Sequence, residues 1–263
     1  MNGPEASGPQ LTFGGHLEVL RRMLFRILAV TGLLAAAVFA CKETAWQLLL
    51  APSGCDFVTY RLIERAAHAA GWAGFTLGEF RVDLIATDLS SQFMSHISTA
   101  CVLGLLGASP YVLYELFRFV SPALYENERR MALPVVLVVY ALFLLGVLTS
   151  YYVLFPVSFR FLGTYSVSER VHSAITLDSY ISTFATLTFV LGLVFQLPVA
   201  ACLLAKAGMV SSRLLSRYRR HALLLVFVLS AVITPPDIMT LLLVALPLYL
   251  LYEVSIRLVR WVE

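Results

Sequence analysis

The chain has 263 residues, of which 59% are hydrophobic and 13% charged, with a net charge of +3 and a mean hydropathy of +0.83. Soluble domains carry about 25% charged residues, so this composition excludes an ordinary soluble domain and leaves no room for a large one beside the apolar segments. The expected class is an all-α integral membrane protein.

In chain order, residues 1–15 form a polar tail with Gly and Pro. The basic start Arg21, Arg22 and Arg26 then leads into the first span, about 22–41. A cleaved signal peptide would start alike, but apolar segments continue down the whole chain. Lys42 to Leu50 reads as a short interfacial helix with Trp46 at the boundary. Val58 to Ala70 reads as an amphipathic helix with Arg61, Glu64, Arg65 and His68 toward water, and FRVDLIATD at 80–88 as extended chain. Further spans are expected at about 97–117, 131–155 and 179–205, with a polar loop from Arg160 to Asp178. Two short runs close the chain, 221–235 and 238–254, with about 20 apolar residues needed for an ordinary crossing. A single re-entrant hairpin is the alternative for this pair. The six spans form one domain with the fifth and sixth short. Pro110, Pro134, Pro156 and Pro247 favour curved helices around a concave face.

With the N-terminus inside, thirteen of the nineteen basic residues fall on the cytoplasmic side: Arg21, Arg22, Arg26, Arg118, Arg129, Arg130, Lys206, Arg213, Arg217, Arg219, Arg220, Arg257 and Arg260. The positive-inside rule then places both termini in the cytoplasm.

SPALYENERR, residues 121–130, concentrates Glu126, Glu128, Arg129 and Arg130 between the uncharged stretches Ile97 to Tyr114 and Met131 to Phe159. One reading is a solvated loop that sets topology, with a surface ion pair worth about 0–1 kcal/mol. The other is a receptor for guanidinium groups, which carboxylates bind bidentately. Glu18 is a second acid on this face, and a helix N-terminal acid is also an ordinary dipole partner. Gln196 in VFQLPV sits mid-span before Pro198. It fits interhelical hydrogen bonding or a polar patch in a cavity. In ITPPDIM, Pro235 and Pro236 stop one helix and Asp237 caps the next.

Cys41, Cys55, Cys101 and Cys202 show no metal spacing, and free thiols or a Cys41–Cys55 pair both fit. The five histidines are scattered, with no phosphate loop and no nucleophile beside a base. No metal, cofactor, enzymatic activity or nucleic-acid partner is expected.

These residues resemble the TatC family, the multi-spanning component of the twin-arginine protein translocase. The resemblance is carried by HLEVLRR at 16–22, IATDLSSQF at 85–93 and ASPYVLYELFRFVSPALYENERR at 108–130. FQLPV at 195–199, RYRRHALL at 217–224, ITPPD at 233–237 and LPLYLLYE at 246–253 complete it. It implies six helices in a cupped arrangement in the bacterial inner membrane. It implies binding of signal peptides with two consecutive arginines, and recruitment of TatA- and TatB-type single-span partners. Folded cargo then crosses at the expense of the proton-motive force, without a cofactor. Self-association and contact with membrane lipids are also expected.

The resemblance assigns Glu128 to a signal-peptide arginine, with Phe119, Pro122, Leu124 and Tyr125 in the same recognition loop. Glu18, Arg21 and Glu126 join the expected site. Three departures stand out. Val19 occupies the place of the family's second acid, with Glu18 one residue early, about 100° around a helix. Glu126, Glu115 or a partner could share that load. Glu115 stands where the family commonly has Gln, and Phe117 where it commonly has Trp. Gln196 stands where many relatives have Glu, and a neutral amide carries no proton. A small-solute permease is the alternative function, but its usual internal repeats are not evident. An intramembrane enzyme would need paired acids or a metal set within the spans, and neither is evident.

Overall fold

Hydrocarbon offers backbone amides no partner, so an apolar chain of this kind satisfies them within helices. The computed structural model describes residues 13–72, 76, 78, 80, 83–124, 132–166, 168, 174–234 and 237–263, with backbone alone for 13, 14, 16, 120–124 and 132–134. Helix α1 covers Phe13–Ala40, α2 Lys42–Leu50 and α3 Val58–Ala69. Helix α4 runs Ser91–Leu124 and α5 Ala132–Thr149. A π-helical segment, Ser150–Leu154, joins α5 to α6, Phe155–Thr164. Then come α7 Leu177–Val194, α8 Leu197–Lys206, α9 Ser212–Arg217, α10 Arg219–Ile233 and α11 Ile238–Val262. The expected extended segment supplies β1, Leu84–Ile85, which pairs in parallel with β2, Ile175–Thr176.

Among the described residues five helical stretches are long and apolar enough to cross a membrane: 17–40, 91–119, 135–164, 177–206 and 238–262. Helix α10 has 15 residues, about 22 Å of rise, short of the ~30 Å hydrocarbon core. The short fifth element is therefore present. The sixth is not short. Helix α11 continues to Val262 because Ser255, Ile256 and Val259 are buried while Arg257 and Arg260 stay exposed, an amphipathic extension that a plain apolar run does not show. The expected third span ending near 155 also extends, through α6 to Thr164, into the stretch read as polar loop.

Proline explains how that third span continues. Pro156 has no N–H, which strands the carbonyl four residues earlier, that of Tyr152. The Thr59 hydroxyl donates to this carbonyl. The Tyr60 hydroxyl donates to the carbonyls of Pro52 and Pro156 at 3.1 and 2.9 Å, and burial raises the phenol's pKa well above its ordinary value. Arg160 stacks over Phe80 and Tyr60, 4.5 and 5.3 Å from the ring centres. The hydroxyls of Ser91 and Ser95 donate to the Asp178 carboxylate at 3.0 and 2.7 Å, tying α4 to α7. These contacts cap one end of the bundle, where Leu49, Phe155, Tyr180, Leu187, Leu191 and Leu248 share a buried core.

At the opposite end of the chain's helices, Glu263 accepts from the Ser212 amide at 2.8 Å and the Ser212 hydroxyl at 2.6 Å. The hydroxyl bond is the main reason the Glu263 carboxyl sits below its ordinary pKa. The clamp is thus present above the ordinary carboxylate range and is lost as pH falls through the lowered value. Arg219 and Glu253 pair at 2.9 Å and hold α10 on α11. Asp237 caps α11, its Oδ1 accepting from the Thr240 amide at 2.7 Å. Pro235 and Pro236 lie outside the described residues. All four cysteines are free, Cys41 and Cys55 included.

Helix α1 packs chiefly along α4. The backbones come close at Gly104, where an added Cβ would lie 2.6 Å from the Ala35 Cα. Gly104→Ala is therefore expected to destabilise the protein by about 1–3 kcal/mol, the usual scale of overpacking, read as a lower melting temperature in detergent. Gly107→Ala, whose Cβ would only touch Leu34 at 3.9 Å, should melt like the parent. Equal melting of both variants would show that this contact is not tight. Asp237→Ala should cost about 0.5–2 kcal/mol and speed amide exchange in the first turn of α11; unchanged exchange would remove the cap from the account.

Candidate functional site

Because α1 and α4 run antiparallel, the beginning of α1 lies beside the end of α4. Charged side chains gather at this junction. Glu18 and Arg22 are one turn apart on α1 and form an exposed ion pair. Arg26, one turn further, lies with Nη1 3.6 Å from Oε1 of Glu115 on α4. The Glu115 side chain is 8% exposed and the Arg26 side chain 55%. Tyr111 donates its hydroxyl to the same Glu115 oxygen at 3.1 Å. Arg21 lies over the Phe25 ring at 5.6 Å.

Two cavities open here. One, of about 370 Å³, is lined by Glu18, Arg21, Arg22, Phe25 and Arg26. The other, of about 330 Å³, lies between the helices and is lined by Val19, Arg22, Met23, Arg26, Glu115, Arg118 and Phe119. Both reach the lower end of the size range of small-ligand sites, roughly 300–1,000 Å³. Of the lining charges Glu115 is buried, whereas Glu18, Arg22 and Arg26 are more than half exposed, so only bonds to Glu115 gain from a partly dry setting.

The structure thus brings together Glu18, Arg21 and Phe119 of the expected site, with Glu18 and Phe119 lining adjoining cavities. Pro122 and Leu124 lie in the last turns of α4, where only the backbone is described. Tyr125, Glu126 and Glu128 lie outside the described residues and follow directly after the end of α4 in sequence. Sequence reasoning gave Glu115 only a passing place, yet it is the sole carboxylate among the described residues lining the inter-helix cavity. Val19, the position that lacks the expected acid, lines that same cavity. The available signal was an acid alone in an otherwise acid-free helix, 91–124.

Gln196 is elsewhere. It sits in the break between α7 and α8 that precedes Pro198. Its Nε2 donates to the Val139 carbonyl at 3.0 Å and more weakly to Gly192 at 3.5 Å. Its Oε1 is buried without a hydrogen-bond partner. The interhelical packing role is therefore what the geometry displays for the amide nitrogen.

The family model for Sec-independent protein translocase protein (TatC) matches residues 15–247. A TatC protein of Halothiobacillus neapolitanus is 34% identical over 249 residues, covering 95% of this chain. The chain spans 62% of that relative's length. A TatC protein of Desulforapulum autotrophicum is 32% identical over 244 residues, covering 93% of this chain and 82% of the relative. A crystal structure of a twin-arginine translocase receptor, TatC, superposes with a TM-score of 0.73 at 28% identity, covering 94% of this chain and 99% of that one. With the family model matching most of the chain and the solved fold reproduced along it, this protein belongs to the TatC family of Sec-independent protein translocase components.

Proposed function

We propose that the protein is the signal-peptide receptor of a twin-arginine translocase, with the end of the α1–α4 pair as its receptor face. The observation that carries this reading is that Glu18 lines one cavity and Glu115 and Phe119 an adjoining one, at the helix end that leads directly into Glu126 and Glu128. Carboxylates beside apolar walls suit the two parts of such a peptide: guanidinium groups for the acids and an apolar segment for the helix faces. The resemblance to a solved twin-arginine translocase receptor supports the same reading.

In this account α10 is the short fifth of six crossings, both termini are cytoplasmic, and the groove faces the cytoplasm of a bacterial inner membrane. The basic residues on that side support this orientation. TatA- and TatB-type single-span proteins join the complex, copies of the chain associate within it, and folded cargo crosses on the proton-motive force. Glu128 takes one signal-peptide arginine, with Pro122, Leu124 and Tyr125 shaping the approach and Glu126 adding charge. Arg129 and Arg130 serve topology and local charge balance.

The test is binding of a fluorescent peptide to the protein in nanodiscs, with Arg-Arg and Lys-Lys versions compared. Glu128→Gln should weaken Arg-Arg binding and reduce its margin over Lys-Lys, with melting unchanged. Charge-assisted bonds are worth roughly 1.5–3 kcal/mol each, so a loss of about ten- to hundredfold in affinity is expected. Wild-type affinity and preference in the variant would remove Glu128 from the site.

A further inference from the structure

Building on the receptor reading above, we infer that Glu115 is a guanidinium acceptor in its own right and that Arg26 is its resident counter-ion, occupying the place a peptide arginine takes on binding. Glu115 is buried at 6% exposure, and a charge so placed needs a partner. The partner it has is poor. Arg26 stops at 3.6 Å, beyond good hydrogen-bonding distance, and approaches the same Oε1 that already accepts from Tyr111. Neither contact uses Oε2, so the bidentate fork that arginine forms with a carboxylate is not made.

The surroundings suit an incoming arginine. The cavity at Glu115 holds about 330 Å³, with Met23, Val19 and Phe119 as apolar walls for a side-chain stem; Arg22, paired with Glu18, and Arg118 also line it, so an incoming arginine comes to the carboxylate beside these two cations. Arg26 is more than half exposed, so its guanidinium can turn into water at little desolvation cost. The exchange keeps one cation at the buried carboxylate throughout. Lysine presents a point charge without the planar fork, so this acceptor favours arginine over lysine.

Peptide binding in nanodiscs tests this with three variants, each checked by melting temperature. Glu115→Gln keeps the side-chain shape and an acceptor for Tyr111 but removes the charge. It should weaken Arg-Arg binding roughly ten- to hundredfold and leave Lys-Lys binding nearly unchanged. Val19→Glu in the Glu115→Gln background returns a carboxylate to the same cavity from the α1 side and should restore much of the loss. Arg26→Gln removes the competitor and should tighten Arg-Arg binding several-fold, with no matching gain for Lys-Lys.

Glu128→Gln run in parallel separates the two claims. If Glu115→Gln binds like the parent while Glu128→Gln loses binding, the acceptor role of Glu115 is overturned and the receptor reading stands. If neither variant changes binding, the receptor reading at this face falls with it. Should Glu115→Gln fail to fold, Arg26→Gln decides: unchanged or weaker Arg-Arg binding overturns the inference.

Discussion

The close approach of α1 to α4 is the constraint on which the charged groove depends. Helix α1 touches little else, and most of its surface is left for lipid or partners. Its position is set where Gly104 lets the Ala35 backbone come into contact. Small residues permit such approaches between membrane helices, where dispersion and hydrogen bonding replace the hydrophobic drive. Because the helices are antiparallel, that contact aligns Arg26 with Glu115 further along the pair. A side chain at Gly104 would act at a distance, by moving the charged ends that form the groove.

The rest of the bundle answers a different demand, the satisfaction of backbone groups freed by proline. Pro156 leaves the Tyr152 carbonyl to Thr59. A tyrosine from the same helix α3, Tyr60, serves the carbonyl of Pro156 itself. The α7–α8 break before Pro198 is bridged to α5 by Gln196 through the Val139 carbonyl. Gly146 meanwhile lies so close to α7 that an added Cβ would sit 2.7 Å from the Leu191 carbonyl. These ties hold α5 through α8 as a frame. The charged groove is placed at the edge of this frame, where one helix of the pair has few other supports.

Much of this was legible in the sequence because one physical rule governs it. Long uncharged runs in a chain of this composition are helices, and Pro198, Asp237 and the Lys42–Leu50 segment behaved as their local chemistry indicated. Within FRVDLIATD the two residues Leu84–Ile85 are extended as read, though their partner strand at 175–176 was not legible. Two helix ends were misjudged, and for one reason. Arg160 and Arg257 look like loop or terminal charges in a linear reading. Arg160 in fact lies on aromatic rings, and Arg257 stays exposed on a helix whose other side is buried. Burial of the opposite face is tertiary information. The same applies to Glu115. Its isolation among apolar residues was visible, but its proximity to Arg26 and Val19 requires the helix pairing. That pairing also puts a carboxylate from the opposite helix in the cavity that Val19 lines.

The central claim is that paired arginines of a signal peptide enter the cavity between α1 and α4. A photoreactive phenylalanine analogue at Val19 tests it most directly, since this side chain lines that cavity. Illumination with an Arg-Arg peptide should give a crosslink that maps beside the two arginines and fades with excess unlabelled Arg-Arg peptide, not with Lys-Lys. Absence of a crosslink despite intact peptide binding, or equal competition by Lys-Lys, would contradict it.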